Sequence, residues 1–259
     1  MAHNSIANNR HMQILDFLSS RGNVTVDQLS ELLHVSKVTI RRDLDFLDTQ
    51  QHLVRTHGGA SILPHQDIKL ADEDFEKKDI KNVQEKRRIA LKCASIIQEH
   101  DILFINSGSS THFLLQAFTN KHVKVITNNA AAVESTFDNK LELLLLGGQY
   151  LKHPKSFVGE FAIKALKDMY STHTILGTNG ISLEKGLTTT VYQECSINQA
   201  MIKNTHGKVI VLADSSKLGR VSNFVSAPLE SINIVITDDK CPPSFKQSLE
   251  QLGIEVIIA

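Results

Sequence analysis

Up to about Ala60, apolar residues recur at helical spacing. Met12, Ile14, Leu15, Phe17 and Leu18 make the stripe of a first helix, which Arg21-Gly22-Asn23 ends. Val24-Thr25-Val26 leads into a second helix with Thr25 as its N-cap and Leu29, Leu32 and Leu33 on one face. After the short turn His34-Val35, Ser36 caps a third helix in which Ile40, Leu44 and Leu47, at i, i+4 and i+7, face the other two. At about 100° per residue, Val38 and Arg42 then stand opposite that stripe, flanked by Lys37, Thr39 and Arg41. Gln51 to Ala60, with the turn signal His57-Gly58-Gly59, reads as a short β-hairpin.

Beyond this region the pattern changes. From Ser61 to about Gln84 large apolar residues are few, Pro64 interrupts, and Asp72-Glu73-Asp74-Phe75-Glu76-Lys77-Lys78 reads as a linker or an exposed helix. Short β-branched or leucine runs then alternate with helical stretches: Ile102 to Ile105, Val123 to Ile126, Leu143 to Leu146, Thr174 to Leu176, Val209 to Leu212, Ile234 to Ile236 and Val256 to Ile258. Such a rhythm predicts an α/β domain with a mostly parallel sheet covered on both faces. The expected division is 1–60 for a helical unit, 61–84 for the linker and 85–259 for the α/β domain.

With 259 residues and 41% hydrophobic content, the chain can bury one large core and a smaller one without staples. No apolar run approaches the roughly 20 residues that cross a bilayer, and Met1 to Arg10 is polar, so the expectation is a cytoplasmic protein with no membrane partner. Cys93, Cys195 and Cys241 form no C-x-x-C pair, and no cysteine pair precedes His52 and His57. The cysteines are read as free thiols and those histidines as loop residues, with no metal and no cofactor. The formal net charge of zero is unusual for a nucleic-acid binder, which draws affinity from phosphate neutralisation. What matters is whether a few cations gather on one face.

The third helix gathers them. Arginine can pair in bidentate fashion with guanine, hydroxyls can hold phosphates and Val38 can touch a thymine methyl, so its N-terminal turns suit a major groove. Arg55 and His57 in the hairpin are placed to contact backbone or minor groove. By period alone the unit could also be a helical protein-interaction module with a basic edge. Arg10, Ile14 and Ser36-Lys37-Val38-Thr39-Ile40-Arg41-Arg42-Asp43-Leu44 resemble the signature of the DeoR family of bacterial regulators, and Arg55 to Ala60 resembles its wing. The resemblance implies a winged helix-turn-helix with Ser36, Thr39, Arg41 and Arg42 at double-stranded operator DNA. Asp43, an acid close to phosphate, is expected to hold Arg10 or a neighbouring arginine instead.

In the α/β domain, Asn106-Ser107-Gly108-Ser109-Ser110-Thr111 follows the first strand, and a helical stretch begins near His112. A strand, a hydroxyl-rich loop and a helix start place amides and hydroxyls around one point at the positive end of a helix dipole, where an anion binds. The loop is neither a P-loop nor G-x-G-x-x-G, and a bare turn would look similar. Other strand ends carry Thr127-Asn128-Asn129, Gly147-Gly148, Gly177-Thr178-Asn179-Gly180 and Ala213-Asp214-Ser215-Ser216-Lys217, which can converge on one cleft. These loops, with Glu85 to Ala90, Gly186-Leu187-Thr188-Thr189 and Glu194, are similar to the sensor domain of DeoR-type regulators, itself resembling sugar-phosphate isomerases related to ribose-5-phosphate isomerase.

That likeness implies that Gly108 to Thr111 hold a phosphate, with Glu194 and Lys217 near the sugar or the phosphate. A Glu194–Lys217 ion pair closing the cleft rim is the structural alternative. Asn106 and Asn179 stand where the family often has Asp, and an amide cannot take a proton as a carboxylate does, which favours binding over turnover. The sequence thus points to a homodimeric or homotetrameric repressor of a carbohydrate operon that responds to a phosphorylated sugar. An isomerase carrying an accessory DNA-binding module is the rival from another class.

Overall fold

The structure, a computed structural model, describes residues 10, 11, 13–15, 17, 18, 23–49, 53–56, 58–61, 81–135 and 138–259. The chain forms two compact units, 1–71 and 72–259.

In the first unit the described residues from 10 to 18 are helical (α1) and bury Ile14, Leu15 and Leu18. Strand β1 (Asn23–Thr25) passes directly into α2 (Val26–Leu33). The switch is set by a capping box: Thr25 Oγ1 accepts from the Gln28 amide, and the Gln28 side chain accepts from the Thr25 amide. His34, at a left-handed φ of 53°, ends α2 and turns the chain into α3 (Lys37–Thr49). Ser36 Oγ accepts from the Thr39 amide at 3.2 Å, the N-cap expected there. Ile40, Leu44 and Leu47 are fully buried, but Leu32, expected on the inward face of α2, is 42% exposed. Val26 and Leu29 centre the buried arc of that helix, and Leu32 lies about 90° from its middle.

Strands β2 (Val54–Thr56) and β3 (Gly59–Ser61) form the expected hairpin. The sheet has a third member, however, because β1 pairs antiparallel with the other edge of β3, giving the order β1-β3-β2. Gly59 makes that approach possible: a Cβ there would stand 2.0 Å from the Val24 carbonyl oxygen.

In the second unit all seven expected runs are strands: β4 (Ile102–Ile105), β5 (Val123–Thr127), β6 (Leu141–Leu145), β9 (His173–Gly177), β12 (Val209–Leu212), β14 (Ile234–Thr237) and β15 (Glu255–Ile258). They form one sheet, parallel throughout, in the order β15-β14-β12-β9-β4-β5-β6. Successive side chains of a strand point to opposite faces, so each strand feeds two cores. Leu103, Ile105, Val125, Ile210 and Ile236 pack with Ile89 and Cys93 of α4 (Val83–Ile96) and Leu114 of α5 (Ser109–Ala117). Phe104, Leu176, Val211 and Val235 pack on the other face with Leu166 of α6 (Glu160–Lys167), Ile197 and Met201 of α7 (Tyr192–Lys203) and Leu249 of α8 (Pro243–Gln251).

Further strands, not marked by an apolar run in the sequence, complete the unit. β7 (Gln149–Leu151) and β8 (Ser156–Val158) form a hairpin, and β10 (Gly180–Ser182), β11 (Gly186–Thr189) and β13 (Phe224–Ala227) form an antiparallel sheet. From β4 the chain builds outward to β5 and β6 on one side, then from β9 to β12, β14 and β15 on the other. Strand order therefore reverses between β4 and β9, and in an open parallel sheet the carboxyl ends at such a reversal frame the ligand crevice. Ser61 belongs to β3, and α4 begins at Val83.

Candidate nucleic-acid interface and anion cradle

In the first unit, α3 separates its charges by position. Lys37, Arg41 and Arg42 occupy its N-terminal half and Asp43, Asp45 and Asp48 follow, with no acid in the first turn. Cations at a helix N-terminus oppose the macrodipole, so this arrangement does not serve the stability of the helix. Ser36, Lys37, Val38, Arg41 and Arg42 are exposed and Thr39 is partly so. Val38 leaves 58% of its surface in solvent. Lys37 Nζ meets Asp27 Oδ1 at 2.9 Å in a solvent-exposed pair, which holds it only weakly.

The acids of α3 are occupied inside the unit. Asp43, 6% exposed, accepts from Arg10 Nε at 2.5 Å and Nη2 at 2.9 Å, and its Oδ1 lies 3.0 Å from His11 Nε2. The arginine expected beside Asp43 is therefore there, and the carboxylate raises the Arg10 pKa through that hydrogen bond. Arg55 Nε pairs with Asp45 Oδ1 at 3.0 Å, the Arg55 amide donates to Asp48 Oδ1 at 3.1 Å, and Nη1 donates to the Gly59 carbonyl at 3.0 Å. Three bonds make Arg55 the brace between wing and α3, whereas the sequence suggested a DNA contact. His57, the other wing residue expected at DNA, lies outside the described residues.

In the second unit the loop after β4 occupies the reversal point. Asn106, 3% exposed, donates from Nδ2 to the Gly177 carbonyl and to Asn198 Oδ1, both at 3.1 Å, and its Oδ1 accepts from the Gly177 amide at 2.7 Å. It ties β4 to β9 and has both its N–H groups engaged by protein. Thr111 Oγ1, fully buried, donates to the carbonyls of Asn106 and Gly108, and Asn129 Nδ2 donates to Gly108 O. These bonds hold the loop open around the start of α5, which begins at Ser109, a turn earlier than expected. Gly108 takes φ 151°, and the His112 amide is the first to bond back into the helix, to Gly108 O. The amides of Gly108, Ser109 and Ser110 meet no acceptor among the described residues.

Around this cradle the expected residues assemble unequally. The Ser107 amide donates to Asn128 Oδ1 at 2.8 Å, and Ser107 Oγ donates to Glu194 Oε1 at 2.8 Å. Thr189 Oγ1 lies 3.1 Å from Glu194 Oε2 and 3.2 Å from Asn179 Oδ1. Ser107, Asn128, Asn179 and Glu194 thus form one polar wall. Lys217 follows β12, one strand further along the sheet, at the end of the turn Ser215–Lys217. Gly180 is buried, and a Cβ on it would stand 2.4 Å from Arg220 O, so its part is close packing. Gly147 and Gly148 end the edge strand β6, and Gly148 approaches the Val158 carbonyl in the same way. Asn198 was absent from the sequence reading, while Asn129 and Thr189 were named there within the strand-end loops but given no role. The recurrence of Asn and Thr at strand ends, beyond what turns require, is the signal that marks the latter two.

Both units match known families. A model of the DeoR-like helix-turn-helix domain covers residues 10–66, and a model of the DeoR C terminal sensor domain covers residues 81–239. Among similar proteins, the uncharacterized HTH-type transcriptional regulator FruR of Bacillus subtilis (strain 168) is 34% identical over 88% of this chain and 90% of its own length. The putative aga operon transcriptional repressor of Escherichia coli O157:H7 is 32% identical over 96% of this chain and 93% of its own. The transcriptional repressor GlcR of Bacillus subtilis is 32% identical over 96% and 95%. Among solved structures, a ribose 5-phosphate isomerase from Methanocaldococcus jannaschii aligns with 53% of this chain and 55% of its own, at a TM-score of 0.39 and 14% identity. With both units matched in order and relatives aligned almost end to end, the chain belongs to the DeoR family of DNA-binding transcriptional regulators.

Proposed function

We propose that this regulator represses a carbohydrate-utilisation operon as a homodimer or homotetramer, and that a phosphorylated sugar held at the β4 loop lowers its affinity for operator DNA. On the DNA side, Arg41 and Arg42 supply base and phosphate contacts, Ser36, Lys37 and Thr39 fix the helix on the backbone, and Val38 meets a thymine methyl. On the effector side, the amides of Gly108 to Ser110 and the dipole of α5 receive the phosphate. Ser107, Asn128, Asn179 and Glu194 face the sugar, and Lys217 closes on it from the neighbouring strand end.

One observation carries this reading: amides without acceptors at a helix start, located where the strand order reverses. The control follows from linkage, because a ligand that prefers the conformation unable to bridge two half-sites must weaken operator binding by the same coupling energy. A gel shift with the operator and a panel of ribose 5-phosphate, fructose 1-phosphate, fructose 6-phosphate and glucose 6-phosphate tests it. At least one member is expected to weaken a sequence-specific complex by about tenfold or more. Insensitivity to every member would remove the sensor half of the proposal. Arg42→Ala is expected to lower affinity for operator by about tenfold or more while changing that for unrelated DNA far less.

A further inference from the structure

Asn82 is the N-cap of α4, yet its side chain makes no cap to its own helix, and its backbone takes the left-handed φ of 50°. Its Nδ2 reaches across the unit to Asp214 Oδ1 at 2.9 Å and lies 3.4 Å from Ser216 Oγ. Asp214, 1% exposed, follows β12 and uses the same Oδ1 to cap the turn Ser215–Lys217, accepting from the Ser216 amide at 3.1 Å and from the Ser216 hydroxyl. Its second oxygen, Oδ2, is buried without a hydrogen-bond partner. Further along α4, Glu85 pairs with Lys240 and Arg88 with Asp239, but in solvent, where such pairs hold little.

Three consequences follow from this geometry. A left-handed asparagine persists where surrounding contacts hold it, and here the contact is Asp214. The carboxylate is satisfied on one oxygen alone, so rotating it costs less than breaking a saturated network. And Asn82 caps the first described helix of this unit, while Asp214 shapes the turn that ends at Lys217.

We infer that Asn82 is the coupling residue of the regulator: a ligand drawn against the Ser215–Lys217 turn shifts Asp214, and the Asn82 amide passes that shift to the start of α4 and the connector before it. This rests on the reading above that Lys217 meets the phosphorylated sugar. Asn82 itself touches no ligand and is a positioning residue.

The test uses the full chain and the sugar phosphate from the panel that most weakens operator binding by wild type. Glycine adopts φ 50° without steric cost, so Asn82→Gly removes the amide and keeps the backbone. Operator affinity without sugar phosphate, and sugar-phosphate affinity by titration, are expected to stay within about twofold of wild type. The ratio of operator affinities without and with sugar phosphate should fall from about tenfold or more to below about threefold. A merely structural role would lower the melting temperature and leave that ratio in place. Asn82→Asp sets a second carboxylate against Asp214 and is expected to weaken operator binding with no sugar present. A wild-type ratio in Asn82→Gly, or unaltered operator binding in Asn82→Asp, overturns the inference while the sensor reading stands. A wild type deaf to the whole panel overturns both.

Discussion

At the scale of single residues, Asn106 shows what an amide does in this loop that an acid could not. Its two N–H groups go to the Gly177 carbonyl and Asn198 Oδ1, which a carboxylate would repel. Asn106→Asp is therefore expected to cost about 2–3 kcal/mol at neutral pH in urea unfolding, with part of the loss recovered in acid as the carboxyl gains a proton. An unchanged midpoint would refute the framework role. Sequence reading named Asn106 as an effector contact and could not see its framework bonds, because its partner Asn198 lies 92 residues away and nothing local announces the pair. The cysteines were legible as free thiols. Burial pushes the Cys93 thiol up to about 12 and the Cys195 thiol well above its usual range, while Cys241, half-buried, is raised less. Near pH 8 a thiol reagent should modify at most Cys241 in the native protein and all three thiols in denaturant; rapid labelling of Cys93 would contradict the burial described here.

Among elements, α3 was the most readable, since a stripe at i, i+4 and i+7 admits one buried face. Its partner α2 was harder: in an eight-residue helix the arc is defined by two residues, and Leu32 could be assigned to either side of it. Strand β1 was invisible because three residues carry no alternation, and only its pairing with β3 gives it meaning. The same limit hid β7, β8 and β10, and β11 and β13 are broken by glycine, threonine or serine, whereas the seven apolar runs all declared themselves. For Arg55 the sequence showed a basic wing residue but not the acids of the neighbouring helix that meet it, Asp45 and Asp48. Gly59→Ala is the substitution that tests the three-stranded wing. Its Cβ would meet backbone, which cannot step aside as a side chain would, so a loss of about 1–3 kcal/mol from this unit is expected, together with operator binding, while sugar-phosphate affinity is retained. Normal operator binding by that variant would mean that β1 does not belong to the sheet.

For the molecule as a whole, a net charge of zero and a DNA-binding activity coexist because charge is sorted by place. Acids of α3 are met by Arg10 and Arg55, leaving Arg41 and Arg42 without an ion-pair partner among the described residues. Operator affinity should accordingly fall with log salt at a slope of about −0.9 for each phosphate contacted, so that at least about tenfold is lost between 50 and 200 mM. A flat dependence would show that those cations do not meet phosphate. The β3 strand adds a temporal consequence. Among the described pieces of the first unit it is the last to be synthesised, yet it lies between β1, which precedes both reading helices, and β2. A nascent chain that has exposed α3 but not yet Gly59 to Ser61 carries the reading residues without the centrepiece of their support, so competence to grip an operator arrives late and all at once during translation.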